Sequence, residues 1–294
     1  MAKPRPNGLM LVDGHSVAFR AYYALPDTMH FAAGGAANAF YGFVNIVARV
    51  LADHAPTHLA ITFDVGTPFR VALYPGYKAS RDMGPEDLEP QVAYVRALWR
   101  TLRAPLFEAE TFEADDLLAT LTRQALLQGA AVDVLSGDLD VLQLVGPTVR
   151  VLTPGRTFSE PMVYDEAAVQ ARYGIPPVRL RDWKALVGDA SDEVPGVPGI
   201  GKKTATELLQ KFASLDDIYN GLERIASART ARALATGRDS AYLSRTLVTL
   251  REDAPVELDL DAASRTAFDG QAAFNAVRQL GFGTLADRIR GIAG

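Results

Sequence analysis

Nine carboxylates recur along the chain in a pattern suited to holding divalent metal: Asp13, Asp64, Glu113, Asp115, Asp116, Asp138, Asp140, Asp189 and Asp192. In Glu113-Ala-Asp-Asp116 a helix puts Glu113 and Asp116 on one face with Asp115 beside them, so three negative charges crowd a single turn. Acidic residues also favour helix N-termini, where the macrodipole stabilises each by roughly 0.3–1 kcal/mol, and that explains this cluster equally well on its own. Ser136-Gly-Asp-Leu-Asp140 follows an apolar run, although a turn or helix cap also accounts for Asp138. Gly188-Asp-Ala-Ser-Asp-Glu193 reads equally as a solvated turn. Brought together, the nine would repel one another, raise their pKa values and oppose folding unless cations compensate. Oxygen-only ligands select hard ions such as Mg²⁺ or Mn²⁺. Two such ions roughly 4 Å apart activate a water and stabilise the leaving oxygen in an in-line phosphodiester displacement. No nucleophile elbow or Ser-His-Asp arrangement offers a competing chemistry.

Distant acidic residues need a fold to gather them. The runs Gly8 to Asp13, Leu59 to Asp64 and Val132 to Asp138 read as buried strands, each ending in an aspartate. Helical patterns lie between them, over Ala39 to His54 and Glu89 to Leu102, and a further helix starts near Glu113 and closes at Gly129. The expected fold is α/β: a mostly parallel central sheet with helices on both faces, whose ligand site lies beyond the carboxyl ends of the strands. Residues 1–165 are expected to form this core, with a long excursion over about 68–100. Short helical segments over 166–294 are expected to form a smaller subdomain.

Two stretches suit nucleic acid. Gly196-Val-Pro-Gly-Ile-Gly-Lys-Lys-Thr-Ala205 leads into an amphipathic helix, and its glycines let backbone amides approach a phosphate at the helix N-terminus. A Walker A loop is disfavoured because Lys203 stands where Ser or Thr must hold magnesium and no strand precedes. A helix-loop-helix grip on a duplex backbone fits better, with Gly199, Gly201, Lys202, Lys203 and Thr204 near the phosphates; a plain inter-helix turn is the simpler alternative. In the excursion, Arg70, Tyr77, Lys78 and Arg81 offer cations and an aromatic face to a single strand, where otherwise they would line a solvated loop. A cation emerging just after Asp64 could also stabilise charge developing at a scissile phosphate.

Composition narrows the class further. The 294 residues are 48% hydrophobic and 22% charged, as expected of a compact globular chain. The absence of cysteine excludes disulfides and thiolate zinc, and His15, His30, His54 and His58 lack zinc-ligand spacing. A net charge of −5 argues against a phosphate-binding surface, but setting aside the nine carboxylates leaves 26 acidic residues against 30 basic, a remainder of +4. The deficit is local. No apolar run approaches a membrane span, and Asp13 interrupts the first one too early for a signal peptide, so a cytoplasmic, nucleoid-associated place is expected.

In order along nearly the whole chain, Val-Asp-Gly-His (12 to 15), Phe-Asp (63 to 64), Gly-Tyr-Lys-Ala-Ser-Arg (76 to 81), Glu-Ala-Asp-Asp (113 to 116), Gly-Asp-Leu-Asp (137 to 140) and the 188 to 201 stretch resemble the 5′ nuclease family. That family includes the amino-terminal domain of bacterial DNA polymerase I, phage 5′ exonucleases and flap endonucleases, and its core is PIN-like. The resemblance implies a structure-specific 5′ nuclease acting on DNA in replication and repair. It implies a two-metal site in which Asp13, Asp64, Glu113, Asp115 and Asp116 serve the first ion and Asp138, Asp140, Asp189 and Asp192 the second. It also implies a helical arch, with Lys78 and Arg81 as its base cations and Phe19 stacking on the nucleotide beside the cut. A helix-two-turn-helix motif over about 183–215 would hold duplex DNA, with a bound K⁺. The expected partner is DNA with a 5′ flap or a single-strand/duplex junction, bound by a monomer, and a DNA polymerase fused or acting in trans. Two residues depart from the pattern: Leu139 replaces a common Lys or Arg, and Glu193 a common Asn. An RNA-directed PIN-type nuclease would share the carboxylates but lack the duplex grip. A catalytically weak junction-binding module would have lost some of the nine.

Overall fold

The computed structural model describes residues 8–80, 84–155 and 161–293. Within them lies a six-stranded sheet of β1 (Gly8–Asp13), β2 (His58–Thr62), β3 (Leu106–Phe107), β4 (Ala131–Leu135), β5 (Val149–Thr153) and β6 (Met162–Tyr164). The spatial order is β3-β2-β1-β4-β5-β6, parallel throughout except for β6, which pairs antiparallel with β5. The mostly parallel sheet expected from the sequence is therefore present.

All six residues of β1 are buried, as a strand covered on both faces requires. Alternate side chains serve opposite layers: Met10 and Val12 join one hydrophobic cluster, Leu9 and Leu11 the other. The first layer is built from α1 (Gly14–Ala24), α2 (Asn38–His54) and α4 (Leu88–Leu102), with the short α3 (Phe69–Leu73) preceding α4 in sequence. The apolar stripe of α4, Val92, Val95, Leu98, Trp99 and Leu102, is buried there, and Trp99 meets Phe43 of α2 edge to face.

The second layer begins with α5 (Ala114–Leu127), whose Leu118, Leu121 and Ala125 pack beneath the sheet. It continues through α6 (Glu166–Tyr173), α7 (Leu180–Val187), α8 (Lys202–Lys211), α9 (Leu215–Asn220), α10 (Ala228–Thr236), α11 (Arg238–Val248) and α12 (Leu260–Ala263). The chain then returns to the first layer: α13 (Gly270–Gln279) packs on α4 and α14 (Gly283–Arg290) on α2.

This strand order sets the site. After β1 the chain builds outward through β2 and β3, then crosses to the other side of β1 for β4, so the connections diverge between β1 and its neighbour β4. Divergence opens a crevice at the strands' carboxyl ends. Asp13 ends β1, Asp64 lies two residues past β2, and Asp138 three past β4.

Candidate metal and nucleic-acid site

Asp13 is the most confined of the three strand-end aspartates, being 4% exposed. It caps α1 by accepting from the Ser16 amide at 3.0 Å, and its other oxygen accepts from the Ser136 hydroxyl at 2.7 Å. Ser136 in turn receives the Asp138 amide at 3.0 Å, and Ser16 Oγ receives that of Gly137 at 2.8 Å, so two serines tie the end of β1 to the loop after β4. Burial, then the neighbouring Asp64 charge, push the Asp13 carboxyl up to about 6 despite those donors.

Asp64 is held the opposite way. Packing opposes its ionisation, but His15 and the Ala114 amide, donating at 2.7 Å, outweigh this and keep it at about 2. His15 sits 3.4 Å from both Asp64 and Glu89. Its burial disfavours charge, but the two carboxylates overcome that and raise the ring to about 9. The ring, whose Nδ1 also lies 3.1 Å from the Asp64 amide, links the strand-end aspartate to α4. Arg96 completes the link through Glu89 at 2.6 Å, Glu108 at 2.8 Å and the face of Phe63.

At the start of α5, Asp115 is raised well above the usual carboxylate range, first by burial and then by the charges of Asp138, Asp13, Asp140 and Asp64. Four other carboxylates acting on one side chain identify a common focus. Asp140 is likewise pushed up to about 7 by burial and Asp138, against the pull of Lys184. Lys184 of α7 pairs with Asp140 and, at 2.7 Å, with Asp189, which is held down at about 2 against its burial by Lys184 and Ser191. Asp189 and Asp192 belong to a loop closed by reciprocal backbone bonds between Asp189 and Val194.

Lys78, Glu113, Asp115, Asp140, Asp189 and Asp192 line one cleft. Lys78 reaches Glu113 at 2.5 Å and Asp192 at 3.5 Å, and its amide donates to the Asp192 carbonyl at 3.1 Å. Among the described residues no three acidic or histidine side chains close on one point at ligand distance. The donor type and the electrostatics nevertheless fit divalent cations: oxygen donors alone, several held above their ordinary pKa by burial and then by their neighbours' charges.

Three of the expected site residues are turned to protein partners. Arg70, read as a cation facing nucleic acid, is 2% exposed and bound to Asp116 and Glu113, because a buried guanidinium must spend its donors inside. Tyr77, read as a stacking face, is 5% exposed with its hydroxyl 3.0 Å from Glu113. Asp116, read as a ligand, is fully buried, and both its oxygens are occupied by Arg70 and backbone amides. Arg81 lies outside the described residues. Phe19, by contrast, is 46% exposed on α1 against Tyr23. In the glycine loop Gly199, Gly201, Lys202 and Lys203 are exposed and Thr204 half-buried, with Gly201 leading into α8 without a side-chain cap. Leu139 packs partly into the second layer, and Glu193 accepts from the Ser80 amide and hydroxyl at 2.9 and 2.7 Å.

Sequence reasoning missed His15, Ser136 and Lys184 as site-builders. His15 and Ser136 sat inside motifs noted for their aspartates. Lys184 carried no signal, being one cation on an amphipathic helix.

Residues 8–174 match the family described as 5′-3′ exonuclease, N-terminal resolvase-like domain, and residues 175–271 the 5′-3′ exonuclease, C-terminal SAM fold. Among curated proteins, DNA polymerase I of Bacillus caldotenax is 39% identical over 96% of this chain, and that of Chloroflexus aurantiacus 41% over 96%. The chain spans about a third of those relatives' length, 32% and 30% respectively. Among solved structures, the T5 D15 protein co-crystallised with metal ions superposes with TM-score 0.67 at 19% identity, covering 97% of this chain and 98% of its own. The catalytic core of Rad2 in complex with DNA substrate does so with TM-score 0.58 at 17% identity, covering 96% and 90%. The fold and its ordered motifs, read with these matches, place this chain in the 5′-3′ exonuclease family.

Proposed function

We infer that this chain, a structure-specific 5′ nuclease of that family, hydrolyses DNA phosphodiesters at 5′ ends, flaps or single-strand/duplex junctions, using two Mg²⁺ or Mn²⁺ ions. The observation that carries this reading is the cleft at the sheet's switch point, lined together by Glu113, Asp115, Asp140, Asp189 and Asp192 beside Lys78. Asp13, Asp64, Glu113 and Asp115 would serve one ion and Asp138, Asp140, Asp189 and Asp192 the other. When bound there, such ions would supply an activated water and neutralise charge on the scissile phosphate.

The chain's own residues do the rest. Lys78, in the cleft beside Glu113 and Asp192, presents a cation where a phosphate would sit. Arg81 joins it in this reading. Phe19, the sixth residue of the helix that follows Asp13, offers an exposed ring suited to stack on the nucleotide beside the cut. The exposed Gly199 to Thr204 loop gives uncapped amides and two lysines to a duplex backbone, and the resemblance adds K⁺ there. This grip disfavours the RNA-directed alternative. Action as a cytoplasmic, nucleoid-associated monomer, beside a fused or separate polymerase, belongs to the same reading; among the described residues no helix is long and apolar enough to cross a membrane.

Cleavage of a 5′-labelled flap duplex tests it. With Mg²⁺ or Mn²⁺, short 5′ products are expected, and excess EDTA abolishes them. Junction binding with no cleavage in either metal would instead favour an inert binding module.

A further inference from the structure

Arg70 uses every donor it has. Its Nε donates to the Leu247 carbonyl at 2.6 Å, Nη1 to Glu113 at 2.7 Å and Asp116 at 2.6 Å, and Nη2 to Asp116 at 2.8 Å and the Thr249 carbonyl at 3.0 Å. A guanidinium has five N–H groups in a fixed fork, so none is left for a phosphate. Asp116 is saturated in the same way. Besides Arg70, one oxygen accepts the Arg251 amide at 2.8 Å and the other the Glu113 amide at 3.2 Å. A carboxylate offers about four lone-pair positions, and an ion could claim one only by stripping a buried guanidinium of its partner. Asp115, one residue earlier, lines the cleft together with Glu113, Asp140, Asp189 and Asp192.

The acceptors of Arg70 lie on two sides of the cleft. Glu113 and Asp116 belong to the start of α5, while Leu247 and Thr249 are at the end of α11. Farther along α11, Ser244 accepts from the Gly196 amide at 2.9 Å and Ser240 donates to the Gly196 carbonyl at 2.6 Å. The helix that holds the glycine loop is therefore tethered, through one buried arginine, to the helix that carries Glu113 and Asp115.

We propose that Asp116 and Arg70 form a positioning pair, not a ligand and a DNA contact: they orient Glu113 and fix the spacing between the cutting site and the duplex grip, and so the register of the cut. This rests on the nuclease reading for the identity of the cut, but the tether itself can be tested apart from it. Titrating the intact chain with Mn²⁺ alone by calorimetry, Asp115→Asn is expected to weaken binding by about tenfold or more beyond any loss in Asp116→Asn, which acts on the ion only through Glu113. Arg70→Lys keeps the charge but loses the fork. It is expected to weaken Mn²⁺ binding less than Asp115→Asn does, speed hydrogen exchange at the amides of 247–251, and spread flap products over neighbouring lengths.

Equal loss of Mn²⁺ in Asp116→Asn and Asp115→Asn would overturn the proposal, as would unchanged exchange and product lengths in Arg70→Lys. Should Asp116→Asn fail to fold, Arg70→Lys decides alone on the same readouts. Absence of Mn²⁺ uptake by the unsubstituted chain would sink the metal reading instead, and the exchange measurement would still decide the tether.

Discussion

Charge at the site is divided residue by residue. Asp13 at about 6 and Asp140 at about 7 hold protons more tightly than the ordinary 3.8. Their contribution to stability is complete below about 4 and is lost as pH rises through those values. His15, raised from 6.5 to about 9, contributes fully below 6.5 and loses its share as pH climbs through 9. Asp64 and Asp189, at about 2, act in the opposite window, contributing above 3.8 and failing only as pH falls through 2. Without metal, the melting temperature is therefore expected to fall between pH 5 and pH 9, and excess Mg²⁺ to raise it more at pH 8 than at pH 5. Thermal denaturation in EDTA and in Mg²⁺ measures this; a flat metal-free profile over that range would contradict the charge assignments.

At the scale of elements, the loop carrying Asp189 and Asp192 depends on two glycines. Gly188 and Gly196 both have positive φ, 78° and 63°, and a Cβ on Gly196 would lie 2.4 Å from the Gly188 nitrogen and 2.6 Å from the Val187 carbonyl carbon. Neither backbone atom can move without opening the loop. Gly196→Ala is expected to destabilise the fold by about 1–3 kcal/mol or more, read by urea denaturation, and to weaken Mn²⁺ binding. Wild-type stability in that variant would mean the loop is not built on this close approach. The apolar runs and helical spacings made β1, β2, β4, α2 and α4 legible from sequence to within a few residues, because burial on both faces imposes the pattern. The return of α13 and α14 to the first layer was not legible, since their amphipathic stripes say that a face is buried but not against what.

The whole molecule gathers carboxylates from both halves of the chain around one crevice, and that convergence follows from strand order, which sequence motifs only implied. What the residues could not reveal was which members of the cluster are spent on protein. Arg70 and Tyr77 read as exposed binders because their types suit nucleic acid, and only the packing of α3 against the end of α11 shows them enclosed. The same packing occupies Asp116 with protein partners, and in the proposal above it is Asp115, lining the cleft, that serves the ion. Asp115 is therefore the residue on which to test the account, by single-turnover flap cleavage in Mn²⁺ beside junction binding in EDTA. Asp115→Asn is expected to cut at least about 10²-fold more slowly while binding the junction within about threefold of the unsubstituted chain. Cleavage at the unsubstituted rate, or an equal loss of cleavage and binding, would contradict it.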